Sequence, residues 1–296
     1  MPPSASVAEF SGYLERGPLA YAAQMLPSAI FSDLDGTFWS TELTLHPATI
    51  RAVDAIDRAG VPLVIATGRR ALGALAGLRP LGLQDRPAIV MNGAIIKERL
   101  DGPSLSVKPI PTEDALATLR EFRTVGLEPI VYVDDAEHDM VNTPGAAAGE
   151  GFLASAVGAR SVSSLDEEIE SCTVIGFGAF GFPRAQLETL ASAINSNRSA
   201  SAVINLSHME GDFGIMVQGR EVNKGRALLE YCAHHRLDPA QAVAVGDGLN
   251  DLEMLEAVGT AIVPANGAPE ALAIADLVVE PNEVGGWEQI ATSLGL

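Results

Sequence analysis

Short apolar runs that end in small or acidic residues recur along the chain. Ala29-Ile30-Phe31 leads to Asp33, Val61-Pro62-Leu63-Val64-Ile65-Ala66 to Thr67, and Ala88-Ile89-Val90-Met91 to Asn92. Further on, Ala242-Val243-Ala244-Val245-Gly246 leads to Asp247, and Ala261-Ile262-Val263 follows. Runs this short, polar only at their ends, predict strands buried on both faces of a parallel sheet. Helical patterns lie between them. Pro47 occupies a first helical position, Ile50, Val53 and Ile56 mark one face, and Gly60 closes it. Leu252, Leu255 and Val258 form a second such face before Gly259.

The alternation breaks between about Pro109 and Met216. A helix opens at Thr112, with Glu113 and Asp114 favourably placed in its first turn. Strands are expected at Pro129–Val133, Cys172–Phe177, Ala202–Leu206 and Phe213–Val217, with a helix at Arg184–Asn195 and a glycine- and alanine-rich stretch near Gly145–Gly151. The fold class is therefore α/β: a Rossmann-like parallel sheet core into which a second α/β domain is inserted. The expected division is an N-terminal extension over 1–27, a core from 28–108 and 218–296, and an insertion over 109–217. A short helix around Val7–Leu14 is the one element expected in the extension.

Composition narrows the partners. A chain of 296 residues, 47% hydrophobic, can bury two modest cores. A net charge of −19 argues against nucleic acid and anionic membrane surfaces, which clustered Lys and Arg would hold. A small anionic substrate stays compatible, because a metal and a few placed cations set the local field. Cys172 and Cys232 are the only cysteines, which suits a reducing compartment. No apolar run approaches a membrane span, and no signal peptide is expected, so the protein is read as cytoplasmic. Oligomeric state is left open.

In open parallel sheets, ligands bind beyond the carboxyl ends of the strands. The polar residues there are Asp33 and Asp35, Thr67-Gly68-Arg69, Asn92, and Asp247 with Asn250 and Asp251. Asp33 and Asp35, two apart at a strand end, can both approach one ion or one phosphate. Mg²⁺ takes hard oxygen ligands, and a carboxylate can attack phosphorus. Gly36 permits a tight turn straight afterwards. Alone, the same residues also read as a solvated acidic turn. Thr67 and Gly68 offer a hydroxyl and an open backbone N–H to phosphate oxygens, although Thr67 alone also reads as a helix cap. Lys224 starts a helix, where a cation opposes the dipole, so it reads either as a neutraliser of nucleophile and phosphoryl charge or as a surface lysine. Asp247 can add a carboxylate to a metal, Asn250 can reach phosphate, and Asp251 can fix Lys224 or a metal-bound water. A turn with an N-cap is the plainer alternative for that segment.

Four motifs in order carry a resemblance: Asp33-Leu34-Asp35-Gly36-Thr37, Ala66-Thr67-Gly68-Arg69, Asn223-Lys224-Gly225 and Gly246-Asp247-Gly248-Leu249-Asn250-Asp251. Together they resemble the haloacid dehalogenase-like superfamily, and within it the Cof-type phosphatases with a large α/β cap. Asn92-Gly93-Ala94 resembles a further landmark ahead of the cap. The resemblance implies a Mg²⁺-dependent phosphatase for small phosphorylated metabolites, sugar or polyol phosphates being expected. Asp33 would be the nucleophile and Asp35 the proton-transfer partner. The metal would be held by Asp33, Asp247 and Asp35, the last through its backbone carbonyl or side chain. The phosphoryl group would be bound by Thr67, Gly68, Lys224, Asn250 and the backbone of Leu34, with Asp251 and Arg69 in support. A phosphomutase of the same superfamily and a non-catalytic phosphometabolite-binding protein are the alternatives. Phe38 departs from the family, which usually has a smaller aliphatic residue there.

Other polar residues carry weaker expectations. His46 reads as a loop residue, His234 and His235 as bland helix positions, and Arg70 as a surface charge. Trp39 could shape the site entrance, and Trp287 reads as packing. Tyr132, Asp134, His138 and His208 are candidates for substrate contact from the insertion.

Overall fold

The computed structural model describes residues 26–40, 42–146, 156–196, 199–206 and 213–296. The helix expected around Val7–Leu14, His208 and most of the Gly145–Gly151 stretch lie outside them.

Short β-branched and apolar runs become strands, as period and composition dictate. The chain enters through β1 (Ile30–Ser32), α1 (Pro47–Ala59) and β2 (Leu63–Ala66). It continues through α2 (Ala71–Leu78), β3 (Ala88–Val90), β4 (Ile95–Lys97), β5 (Ser104–Val107), α3 (Thr112–Thr124), β6 (Ile130–Val133), β7 (Met140–Asn142) and β8 (Ala159–Ser161). Then come α4 (Leu165–Ser171), β9 (Val174–Phe182), α5 (Arg184–Ser196), β10 (Ala200–Leu206) and β11 (Phe213–Gly219). The last stretch holds α6 (Lys224–His235), β12 (Val243–Val245), α7 (Leu252–Glu256), β13 (Thr260–Pro264), α8 (Pro269–Ala273), β14 (Leu277–Val279) and α9 (Gly286–Ser293).

These elements form two units, one running to Thr67 and resuming at Lys224, the other spanning Gly68–Asn223. In the first, among the described residues, the strands lie in the order β14-β13-β12-β1-β2, all parallel. Ile30, Phe31, Val64, Ile65, Ala244 and Ile262 are fully buried, as expected where helices cover both faces. His46 caps α1: its ring Nδ1 accepts from the Ala48 amide, which prepares Pro47 for the first helical position. α7 stops at Glu256, short of Val258. The Gly259 amide donates to Pro239 O instead of continuing the helix.

In the second unit, β3, β4 and β5 form an antiparallel ribbon. A separate six-stranded sheet has the order β10-β11-β9-β6-β7-β8. One of its faces packs under α3, α4 and α5 through Leu119, Phe122, Val131, Phe177, Leu190 and Val217. Phe122 and Phe177 have ring centroids 6.0 Å apart. β9 starts at Val174 because Cys172 still accommodates the end of α4, its amide donating to Glu168 O. Among the described residues, no helix is long and apolar enough to cross a membrane.

Candidate active site

Asp33 follows β1 directly, and its amide donates to Val245 O of the neighbouring strand at 2.9 Å. Ladder bonding therefore fixes the nucleophile candidate's backbone. Lys224, the first residue of α6, is fully buried. Its ammonium lies 2.6 Å from Asp33 Oδ1 and 2.6 Å from Asp251 Oδ1. A helix start disfavours a cation, and burial disfavours it further. Two carboxylates offset both costs and hold Lys224 charged well above the usual lysine range. Lys224 is thus no surface lysine.

Asp251 is committed on every side. Its Oδ2 accepts from the amides of Asp247 and Gly248 at 3.1 and 2.8 Å, while Oδ1 takes Lys224. It ties the turn after β12 to the start of α6. Asp247 is placed by Thr37, whose hydroxyl donates to Asp247 Oδ1 at 2.6 Å. Gly36 has φ +81, and a Cβ there would collide with Asp247 Oδ2. Only glycine fits both the turn and that close approach.

Asp33, Asp247 and Asp251 form one carboxylate group, with a ligand oxygen from each within 4.8 Å of the others. Burial, and after it the Asp251 and Asp247 charges, push Asp33 up to about 8, against the lowering effect of Lys224. Burial likewise raises Asp247 to about 6, with the Thr37 hydrogen bond opposing it. Three carboxylates share one ammonium, and their hard oxygens, held close together, are a donor set that fits Mg²⁺.

The Asp35 side chain stands outside that group. It is exposed, and its Oδ1 accepts from the Trp39 indole N–H at 2.9 Å. Trp39 is fully buried, so it orients Asp35 from below and does not line an entrance. The loop between them is pinned by residues from the C-terminal end. Trp287 Nε1 donates to Thr37 O at 3.0 Å, Asn282 Nδ2 to Trp39 O at 2.5 Å, and Asn266 Nδ2 to Gly36 O at 3.0 Å. Phe38 meets Trp287 edge to face at 5.1 Å, which accounts for the large residue there. Trp287 therefore does more than pack.

Thr67 is fully buried at the end of β2. It is not a helix cap, because α2 begins only at Ala71, after Arg70. The Leu34 side chain is buried, and Asn250 is exposed on the turn after β12. In the second unit, Gly68 and Arg69 start the chain toward α2. The Arg69 carbonyl accepts from the Met91 amide at 2.9 Å, and Asn92 lies beside Gly68. Arg70, expected as a surface charge, is instead largely buried in an ion pair with Asp139. Asp139 also accepts from the Leu72 amide at 2.7 Å, so it caps α2 from a distant part of the chain. Tyr132 is buried, Asp134 accepts from Ser104 Oγ at 2.7 Å, and His138 leaves Nδ1 without a hydrogen bond.

Sequence reasoning named the carboxylates but missed what steers them: Thr37 on Asp247, Trp39 on Asp35, and Asn282 with Trp287 on the loop. Thr37 and Trp39 lie in or next to the motif and could have been found there. Asn282 and Trp287 lie more than 240 positions away and carry no local signal.

The family model for haloacid dehalogenase-like hydrolases matches residues 30–289. A phosphoglycolate phosphatase of Methanopyrus kandleri is 25% identical over 271 residues, covering 91% of this chain and 96% of that protein. A pyridoxal phosphate phosphatase of Escherichia coli is 26% identical over 275 residues, covering 91% and 99%. Among solved structures, a Thermotoga maritima protein superposes with TM-score 0.75 at 21% identity, over 90% of this chain and 97% of that one. A sugar phosphatase of subclass IIB gives TM-score 0.67 at 22% identity, over 90% and 99%. The α/β fold with its parallel sheet and the resemblance carried by the four motifs are both shown, and this chain belongs to the haloacid dehalogenase-like hydrolases.

Proposed function

We propose that the protein is a Mg²⁺-dependent phosphatase that hydrolyses small phosphorylated metabolites, sugar or polyol phosphates foremost, through a phosphoryl-Asp33 intermediate. One observation carries this: Asp33 is buried, held by Lys224 at 2.6 Å, and grouped with two further carboxylates at strand ends. A solvated acidic turn would not bury a lysine to meet it. The relatives' printed names support a phosphorylated small molecule as substrate, since one is a phosphoglycolate phosphatase and another a pyridoxal phosphate phosphatase.

An Asp33 carboxylate oxygen attacks phosphorus in line, and the bond to the leaving oxygen breaks. Asp35, oriented by Trp39, protonates that oxygen. It then takes a proton from the water that attacks phosphorus and releases Asp33. Lys224, Thr67, Gly68, Asn250 and the Leu34 backbone bind and neutralise the phosphoryl group, with Arg69 beside them. Asp33 and Asp247 would hold Mg²⁺, together with the Asp35 backbone carbonyl. Asp251 fixes Lys224 and the Asp247 turn. When bound, the ion supplies positive charge that offsets the phosphoryl oxygens and keeps Asp33 ionised.

Residues 109–217 are read as the cap that sets specificity, on a core of 28–108 and 218–296. Phosphate release over a panel of phosphorylated metabolites tests the function. Release that EDTA abolishes and Mg²⁺ restores supports it. Isomerised phosphate without free phosphate points to a mutase. Turnover unchanged in Asp33→Asn overturns the assignment.

A further inference from the structure

Three consecutive residues after β3 have positive φ: Met91 at 50, Asn92 at 52 and Gly93 at 105. Asn tolerates this conformation, but for Met it is strained and persists only when the surroundings impose it. One side chain reaches both residues. Gln218, on β11, donates from Nε2 to Met91 O at 2.5 Å and accepts at Oε1 from Asn92 Nδ2 at 3.1 Å. Both ends of a single amide thus hold two adjacent left-handed residues. Gly176 pairs with Gln218 across the β9–β11 ladder. A Cβ on Gly176 would lie 2.7 Å from Val217 O, so the position stays bare beside Met91 and Gln218.

The turn they hold faces the segment after Thr67. The Met91 amide donates to Arg69 O at 2.9 Å. Asn92 Oδ1 would lie 2.8 Å from a Cβ on Gly68, so glycine alone allows the Asn92 side chain this close. A linked path runs from Gln218 through Met91 to the carbonyl of Arg69, and through Asn92 to the side of Gly68.

We infer that Gln218 is a positioning residue for the phosphate-binding Thr67–Gly68 turn, acting through the strained Met91–Asn92 turn; this rests on the proposed phosphatase function. Gln218 also lies six positions before Lys224 in the chain. The side chain that shapes one phosphate-binding segment therefore sits on the strand that leads to the other.

The test uses the full chain with Gln218→Met, which removes both hydrogen bonds, and Gln218→Glu, which keeps an acceptor for Asn92 and loses the donor to Met91. The control is Asn195→Ala, because Asn195 clamps Ala202 N and O in the same two-ended way elsewhere in that unit. Two readouts are taken: competitive inhibition of p-nitrophenyl phosphate hydrolysis by inorganic phosphate, and amide hydrogen exchange of peptides covering 67–70 and 90–94. Gln218→Met is expected to weaken phosphate inhibition on the order of tenfold and to speed exchange in both peptides. Gln218→Glu, which sets a carboxylate oxygen against Met91 O, is expected to match or exceed that loss. Asn195→Ala lowers the melting temperature and changes neither readout. Wild-type inhibition and wild-type exchange in Gln218→Met overturn the inference. If the wild-type protein neither hydrolyses phosphomonoesters nor binds phosphate, the functional proposal fails, and exchange at 67–70 still decides whether Gln218 holds that turn.

Discussion

Asp251 grips Lys224 through Oδ1 at 2.6 Å while its other oxygen holds the two amides that aim Asp247. One side chain thereby sets the cation beside Asp33, the proposed nucleophile, and the carboxylate opposite it. Asp251→Ala leaves a fully buried lysine with one partner, and breaking a buried pair costs about 3–5 kcal/mol. Chemical denaturation of the variant should show that loss. Asp251→Asn, which keeps the shape, should refold well and still lose on the order of a hundredfold in kcat/KM, because its single acceptor oxygen serves either Lys224 or the Asp247 turn and not both.

Trp39 makes a separable prediction. Trp39→Phe keeps an aromatic ring under the loop and removes the N–H that holds Asp35 Oδ1. A poorly held acid matters most where the leaving oxygen needs a proton. Turnover of alkyl phosphates should fall roughly tenfold, while p-nitrophenyl phosphate, whose leaving group departs unprotonated, should change little. Equal losses on both substrates would assign Trp39 to packing alone.

Asp33 and Asp247 dictate a pH dependence. Their pKa values lie at about 8 and about 6, above the ordinary carboxylate 3.8. Between pH 3.8 and those values the folded, metal-free protein holds protons that the unfolded chain has released. Its stability therefore falls as pH rises through that window. Mg²⁺ binds the deprotonated carboxylates and should recover the loss. The rise in melting temperature on adding Mg²⁺ should be larger at about pH 8 than at about pH 5, and Asp247→Asn should flatten the difference.

Gly36 tests the turn itself. Gly36→Ala forces a side chain into φ +81 and against Asp247 Oδ2. The left-handed backbone alone costs about 1–2 kcal/mol, and displacing Asp247 should also raise the Mg²⁺ concentration needed for activity. Calorimetry and a Mg²⁺ titration read the two effects apart.

The parallel strands were legible, and the candidate carboxylates could be named, because both leave local signals. A strand buried on both faces is a short apolar run, and its functional residues sit at its end, as Ala242–Gly246 before Asp247 shows. β4, β5 and β8 were not legible. Lys97 is buried within β4, β5 alternates serine with apolar residues, and β8 reads Ala-Arg-Ser. Their pairing comes from neighbours and not from their own composition. Arg70 was misplaced for the same reason: its partner, Asp139, lies 69 positions away and declares nothing locally. Asn92-Gly93 announces a turn, but the left-handed Met91 was hidden, because methionine does not announce a positive φ and Gln218 looks like any strand-end polar residue.

The most direct measurement is to trap the intermediate on Asp33. The enzyme is mixed with a turned-over phosphomonoester and Mg²⁺, quenched in acid, reduced with borohydride and mapped by mass spectrometry. Attack by Asp33 predicts conversion of that one side chain to homoserine in the peptide carrying Ser32-Asp33-Leu34-Asp35, with no conversion in Asp33→Asn. Phosphate release with Asp33 unmodified, or conversion at another carboxylate, would contradict it.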